Sequence, residues 1–438
     1  MRLLSALWRK EWRELLASRA YWLLLLVIGP LVGNDFIHAV NLFAEASGSN
    51  GGAAALPQEL TPLDGIFVPT WGAYDLAITL LFPFVAIRLL SAEKESGALK
   101  LAQQFPAGRS TMMLAKVLAL IVGWAIAWFA GVLALVLWKS YGGHSYAPEA
   151  LNLLAGHWLR MLLSAGFALA AAAIAESAAS AAILTLSFTL GTWALDFIAN
   201  GRGGWLAEVA AYTPTSALRF FEQGLLRLNT TLALLALAFV GFALAALWIE
   251  TGRKVSTRLL QTAGVLLLAV VVVLAAAQAR SSWDVSENRR NSFSRTDEAT
   301  LRQIQQPLGI TINLAAEDPR LMDYERGILN KLRRLLPNLH VTFAANSRTG
   351  LFEGSDEHYG EIWYEWNGQK VMNRSTTEPI VLEQLYQLTQ LAPPTATEEA
   401  AFPGYPLAVE PRGARLIFYG LWPLAVLACW WFVQRHRR

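Results

Sequence analysis

Eight long apolar runs, separated by short polar stretches, dominate the chain: residues 21–40, 73–90, 117–138, 158–175, 178–198, 231–249, 262–277 and 416–433. A helix needs about 20 predominantly apolar residues to cross the hydrocarbon core, so the pattern predicts eight membrane-spanning helices. Only Glu176 and Ser177 part the fourth run from the fifth, which predicts a tight helical hairpin. Ahead of the first run, residues 1–18 set Leu3, Leu4, Leu7, Trp8, Trp12, Leu15 and Leu16 against Arg9, Lys10, Glu11, Arg13 and Glu14. Such a segment lies in the interface plane with its basic side towards anionic headgroups. It is not a cleaved signal peptide, because the following run is too long and no small-residue cleavage site comes promptly.

Between the seventh and eighth runs the pattern changes. Residues 281–412 turn polar and mix strand and helix periods. Residues 308–314 alternate as a strand, and 324–336 carry Ile328, Leu332 and Leu335 on one helical face. Residues 339–344 read as a second strand. The runs 359–366 and 370–372 flank Asn367-Gly368, a strong hairpin signal. A closing helix is expected over 378–391, and Pro393-Pro394 begins the return to the membrane.

Composition agrees: 54% of the 438 residues are hydrophobic and 16% charged, outside the usual globular range. Lys and Arg in excess mark the cytoplasmic side. Arg2, Arg9, Lys10, Arg13 and Arg19 precede the first run. Arg88, Lys94, Lys100, Arg109 and Lys116 lie in or beside the second-to-third connection. Arg253, Lys254 and Arg258 follow the sixth run, and Arg435, Arg437 and Arg438 end the chain. Residues 41–72 contain no Lys or Arg and 139–157 only Lys139, although the fifth-to-sixth connection carries Arg202, Arg219 and Arg227. Both termini are therefore expected in the cytoplasm and 281–412 outside it. Trp22, Trp138, Trp158, Trp248, Trp422, Trp430 and Trp431 stand at run ends, as interfacial belts require. Cys429, the sole cysteine, falls inside the last run and reads as a packing residue.

Candidate chemistry is sparse. No G-x-x-x-x-G-K-[ST] phosphate loop occurs, and the six histidines are dispersed; neither a metal site nor a catalytic constellation is expected. Glu353, Asp356, Glu357, His358 and Glu361 cluster on an expected loop and read as a solvated acidic surface or a weak cation site. Intramembrane ionisable residues are functional candidates by default. Asp35, Asp75 and Asp196 lie near outer span edges, where they are either solvated at the interface or line an outer vestibule. Glu176 is the lone charge in an alanine-rich stretch and belongs to an inner hairpin, as a simple turn or as a partner contact. The Ala/Ser run 164–182 suits close helix approach.

The most informative segment is Ser91-Ala-Glu-Lys-Glu-Ser-Gly-Ala-Leu-Lys-Leu to Lys116, a charged loop with a short helical pattern at Leu99 and Leu101 that Pro106-Ala-Gly breaks. Its order E-x-E-x-G-x-L, then P-x-x-R, then a Lys opening the next span, resembles the cytoplasmic loop of ABC-2 type permeases at Glu93, Glu95, Gly97, Leu99, Pro106, Arg109 and Lys116. The opening K-E-W-x-E-L-x-x-S-R is similar to the N-terminal helix of the same family. That resemblance implies an ATPase-coupling surface at Trp8, Glu11, Trp12, Glu93, Glu95, Gly97, Leu99, Pro106 and Arg109. It also implies a permease subunit of a bacterial inner-membrane exporter with no catalytic role of its own. ATP and Mg would be used by separate ABC ATPase subunits, two copies expected. A second permease half, identical or paralogous, is implied, with membrane lipid around the chain and no nucleic acid. Asp284-Val-Ser-Glu-Asn-Arg-Arg-Asn-Ser-Phe-Ser, followed by a helix and Pro307-Leu-Gly-Ile-Thr-Ile, is similar to the extracytoplasmic module of gliding-motility auxiliary proteins, with Asn291 at that family's aromatic position.

The expected fold is a polytopic α-helical membrane protein, a six-span ABC-2 permease core plus two further spans, with a small α/β extracytoplasmic domain. Its divisions are an amphipathic cytoplasmic interface helix 1–18, a six-span domain 19–250, a cytoplasmic loop and seventh span 251–280, an auxiliary domain 281–412, and an eighth span with cytoplasmic tail 413–438. Two other readings stay open: a non-transport envelope or motility assembly protein, and a secondary transporter, whose inverted repeats and midplane charges are not evident.

Overall fold

A computed structural model describes residues 2–48, 61–104, 108–199, 205–210, 212–250, 252–279, 281–315, 318–344, 358–394, 402 and 404–436. Pro106, Arg202, Glu353, Asp356, Glu357, Arg437 and Arg438 lie outside these. Among the described residues, eight helices are long and apolar enough to cross a membrane: Arg19–Gly48, Leu63–Glu95, Arg109–Ser140, Ala147–Ile174, Ala178–Ala199, Leu228–Trp248, Val255–Ala277 and Leu416–Arg435. Each contains one of the eight apolar runs, to within a residue at the C-terminal end, and they are called the first to eighth spanning helices. The fourth starts at Ala147, well ahead of the expected 158. Its first turns carry Glu149, Asn152 and His157, which break the apolar run yet are buried against other helices. Residues 147–157 are thus helix rather than loop.

Close approach at small residues sets the packing. A Cβ on Gly241 would stand 2.5 Å from the carbonyl carbon of Gly166, so the fourth and sixth helices touch backbone to backbone. The eighth helix seats Trp422 against Gly29 and Phe418 against Gly33 of the first helix, with no room for a side chain at either glycine. Trp422 Nε1 also donates to the Leu25 carbonyl at 2.7 Å. Three tryptophans expected at the interface are therefore core residues: Trp22, Trp138 and Trp422 are all buried. Cys429, expected to pack, is exposed on the outer face of the eighth helix. The seventh helix is peripheral, with Leu260 75% exposed. Its apolar surface faces outward, as lipid contact requires.

The connections sort into two ends. One end holds the interface helix Arg2–Ala17, the loop helix Ala98–Ala102, the hairpin between the fourth and fifth helices, and the elbow joining the sixth to the seventh. The other end holds the described residues of the polar region 281–412, fastened to the spans by a short antiparallel pair of β1 (Leu225–Arg227) with β2 (Ser282–Asp284). Beside this pair, Asp284 accepts from Ser286 N (3.1 Å), Asn291 N (3.0 Å) and Ser292 Oγ (2.6 Å), folding the Asp284–Phe293 segment into a clasp. Arg290 Nε (3.0 Å) and Asn291 Nδ2 (2.8 Å) donate to the Gln223 carbonyl, and Glu287 N donates to Glu149 Oε1 at 2.6 Å. Asn291, at the position where the resembling module has an aromatic residue, here supplies a polar tie to the spans. His144 stacks on Tyr405 with centroids 3.6 Å apart, and Tyr405 donates to Glu287 at 2.8 Å.

Within 281–412, four strands form a sheet of order β4-β3-β5-β6: β3 (Leu308–Ile312), β4 (Leu339–Phe343), β5 (Ile362–Trp366) and β6 (Gln369–Asn373). β3 pairs parallel with β4 and antiparallel with β5. Asn367 and Gly368 both take positive φ (52° and 80°), as the tight hairpin demands. The helix crossing between β3 and β4 starts at Pro319, five residues before the expected Tyr324, because Asp318 caps it by accepting from Arg320 N at 2.9 Å. The closing helix stops at Thr389, where Gln390 turns left-handed.

Asp318 yields a pH prediction. Hydrogen bonds from Arg320, and then Tyr359, hold its carboxyl down at about 2. A folded-state value below the unfolded one of about 3.9 means its stabilisation is complete above about pH 4 and lost as pH falls towards about 2. Asp318→Asn keeps a capping oxygen but loses the carboxylate's ion pair with half-exposed Arg320, and should cost up to about 1 kcal/mol. Hydrogen exchange of amides 319–335 in the full chain should show that deficit at pH 7 and its closure near pH 2. A constant difference across that range would contradict the assignment.

Candidate coupling site and the buried polar face

The interface helix turns Glu11 inward, where a surface helix would expose it. Glu11 (3% exposed) meets Glu93 (4%) at the end of the second spanning helix and Lys116 (2%) in the first turns of the third. Lys116 Nζ lies 2.7 Å from a carboxylate oxygen of each and donates to the Leu89 carbonyl at 3.2 Å. Lys10 reaches Glu93, Glu11 (3.3 Å) and Glu14 (3.2 Å) from the rim. Burial works against the charge on Lys10, but Glu11, Glu93 and Glu14 outweigh it and raise its pKa. Oxygens of Glu11, Glu14 and Glu93 come within 4.8 Å of one another. Two ammonium groups bind these oxygens in the manner a metal cation could.

Lys94, next in sequence, points the other way. Its Nζ donates to the carbonyls of Ala173 (2.9 Å) and Ala175 (2.5 Å), satisfying the open C-terminus of the fourth spanning helix. Its charge suits the negative end of that helix. Glu176, in the adjoining hairpin, is exposed. Glu95 is exposed at the end of the second helix. Gly97 then takes φ +75°, a left-handed turn open to glycine, and launches the loop helix with Leu99 buried beneath it. Arg109 pairs with Glu250 of the elbow at 2.5 Å, tying the start of the third helix to the end of the sixth. Trp8 and Trp12 are half-buried and stacked at 6.4 Å. Of the nine expected coupling residues, Glu11 and Glu93 are internal, Glu95 is exposed, and Pro106 is outside the described residues.

The vestibule candidates separate. Asp35 accepts from neighbouring Asn34 at 3.1 Å. Asp75 pairs with Arg160 Nε at 2.6 Å, and Asp196 with Arg219 at 2.7 Å. Glu222 stands near the Asp75–Arg160 pair, and burial followed by the charge of Asp75 raises its pKa.

Arg160 belongs to a feature that the apolar pattern conceals. Glu149, Asn152, His157, Arg160 and Ser164 recur at three to five residues along one face of the fourth spanning helix, and all are buried. Asn152 donates to the Phe221 carbonyl (3.0 Å), Ser164 to the Ile78 carbonyl (3.1 Å) and Arg160 Nη2 to Thr79 Oγ1 (3.3 Å). His157 packs edge-on to Trp128 with centroids 5.9 Å apart. Both its ring nitrogens, like Arg160 Nη1, lack a hydrogen-bond partner among the described residues. Buried polar atoms of this kind are normally satisfied by internal water. A lone cation inside an apolar run, Arg160, and another at the edge of one, Lys116, are the sequence signal that would have exposed both clusters.

Against known proteins, the family described as ABC-2 family transporter protein matches residues 5–283. No curated protein and no solved structure matches the chain.

Proposed function

The chain belongs to the ABC-2 family of transporter proteins, and from that premise we propose that it is a permease subunit driven by a separate ABC ATPase to export cargo across a bacterial inner membrane. The observation that carries this reading is the buried Glu11–Lys116–Glu93 lock. It joins the interface helix to the second and third spanning helices directly beside the exposed Glu95 and the left-handed Gly97. A push on this surface has short, stiff routes inward: Lys116 to the third helix, Lys94 to the end of the fourth, and Arg109–Glu250 to the end of the sixth. Interiors packed at this density transmit displacement rather than absorb it.

In this reading the charged end is cytoplasmic, with both termini there, and 281–412 is an extracytoplasmic domain of the gliding-motility auxiliary kind. Two ATPase subunits hydrolyse ATP with Mg and act on a pair of permease halves, identical or paralogous. The permease domain spans 19–250, the segment 251–280 leads outward, and 413–438 returns. A non-transport assembly role is the second reading. It is favoured by the clasp at Asp284–Phe293, which fixes the polar domain firmly enough to serve as a mount.

Charge reversal at exposed Glu95 separates the readings. An exposed ion pair is worth under about 1 kcal/mol, so Glu95→Lys should insert and fold normally. Partner binding and partner-stimulated ATP turnover should both fall steeply. Turnover and binding unchanged from wild type would remove this loop from the mechanism.

A further inference from the structure

The charged end holds a cavity of about 730 Å³ between the loop helix and the sixth-to-seventh elbow, lined by Lys100, Gln103, Arg109, Met112, Glu250 and Arg253 among others. Three cations face one carboxylate. Arg109 (2.5 Å) and Arg253 (3.0 Å) hold Glu250 from two sides, and each of the three side chains remains about one-third exposed. A third guanidinium, Arg258, donates to the Glu250 carbonyl and lies 5.8 Å over the Trp248 ring. Its Nε is buried without a hydrogen-bond partner among the described residues. Met112 and Ile249 supply an apolar floor.

Two features fix the depth of this cavity. Trp248 ends the sixth spanning helix and donates to Thr262 Oγ1 at 3.0 Å, placing an amphipathic ring at the apolar boundary. The elbow then runs straight into the seventh helix, whose Val255, Leu259 and Leu260 are exposed. Cations therefore sit at headgroup level with bare apolar helix leading away from them. Guanidinium groups prefer two-oxygen anionic partners, and a phosphodiester presents two charged oxygens, as the Glu250 carboxylate does, so it can take the same arginines.

We propose that this cavity binds the headgroup of an anionic glycerophospholipid, its phosphate between Lys100, Arg109 and Arg253 and its acyl chains along the seventh helix. The phosphate competes with Glu250 for the two arginines. Occupancy thereby loosens the Arg109–Glu250 tie between loop and sixth helix, so lipid tunes the stiffness of that link. The binding site does not depend on the ATPase reading: it exists in the chain alone.

The test uses the full purified chain, delipidated in detergent and exposed to phosphatidylglycerol or phosphatidylcholine with matched acyl chains, with adducts counted by native mass spectrometry. Wild type should retain the anionic lipid about fivefold better per engaged cation. Lys100→Gln/Arg253→Gln should cut the preference to the about fivefold that Arg109 alone supplies, whereas Glu250→Gln should raise it by removing the competing carboxylate. Opposite signs from the two changes cannot come from general misfolding. Equal retention of the two lipids by wild type, or no response to either change, overturns the proposal. Displacement of the lipid by millimolar inorganic phosphate alone would assign the cavity to free phosphate and overturn the lipid assignment. In nanodiscs, a cysteine at Gln104 in a Cys429→Ser background should react with an aqueous maleimide more slowly when phosphatidylglycerol replaces phosphatidylcholine. Equal rates would leave this face to a protein partner and likewise refute lipid occupancy.

Discussion

Lys116→Met should be among the most damaging single substitutions in the chain. It leaves Glu11 and Glu93 buried with their shared ammonium gone. Breaking a buried ion pair from one side costs about 3–5 kcal/mol, because an uncompensated charge stays behind. The whole protein in detergent should lose most of its thermal stability, and the interface helix should become accessible to protease. The triple change Glu11→Gln/Glu93→Gln/Lys116→Met removes the charges together and should recover most of that loss. A single variant as stable as wild type would mean that this cluster is hydrated and holds nothing. A triple variant as unstable as the single one would mean that packing, and not charge, is what Lys116 supplies.

Arg160→Met is the second large effect. The guanidinium binds Asp75 and Thr79 at once, and its loss strands a carboxylate inside the bundle. Asp75 keeps partial access to water, so the cost should fall at the lower end of the about 3–5 kcal/mol range. Arg160→Lys keeps the charge but cannot span both partners with one planar group, and should recover only part. Thermal midpoints of the two variants, with Asp75→Asn/Arg160→Met as the compensated control, measure this. Identical midpoints for Arg160→Met and wild type would contradict a structural pair here.

The apolar runs, 16 to 22 residues long, made all eight spanning helices legible, since so long an apolar stretch has few alternatives to crossing a membrane. The hairpin at Asn367-Gly368 was equally legible, because positive φ at two consecutive positions demands such residues. What stayed hidden was polar and long-range. Hydropathy starts the fourth helix too late because it treats Glu149, Asn152 and His157 as interruptions, whereas in three dimensions they form one buried face with Arg160. Glu11 looked like part of a wet helix surface. Its partner, Lys116, is more than a hundred residues away, and no local pattern couples them. Trp138 and Trp422 sit at span ends, where belts are expected, but glycine gaps such as Gly29 draw Trp422 into the core. Loop motifs ordered Glu93, Glu95, Gly97 and Arg109 correctly along the chain without revealing that Glu93 faces in and Glu95 faces out.

That difference in facing is what the coupling account depends on, and a photo-crosslinking residue tests it directly. Placed at Glu95 in living cells, with a control at Lys370 on β6, it should capture an ABC ATPase subunit, identified by mass spectrometry, from position 95 and never from 370. Capture of that subunit from position 370, or none from either position in cells that express it, would contradict a cytoplasmic coupling surface at this loop.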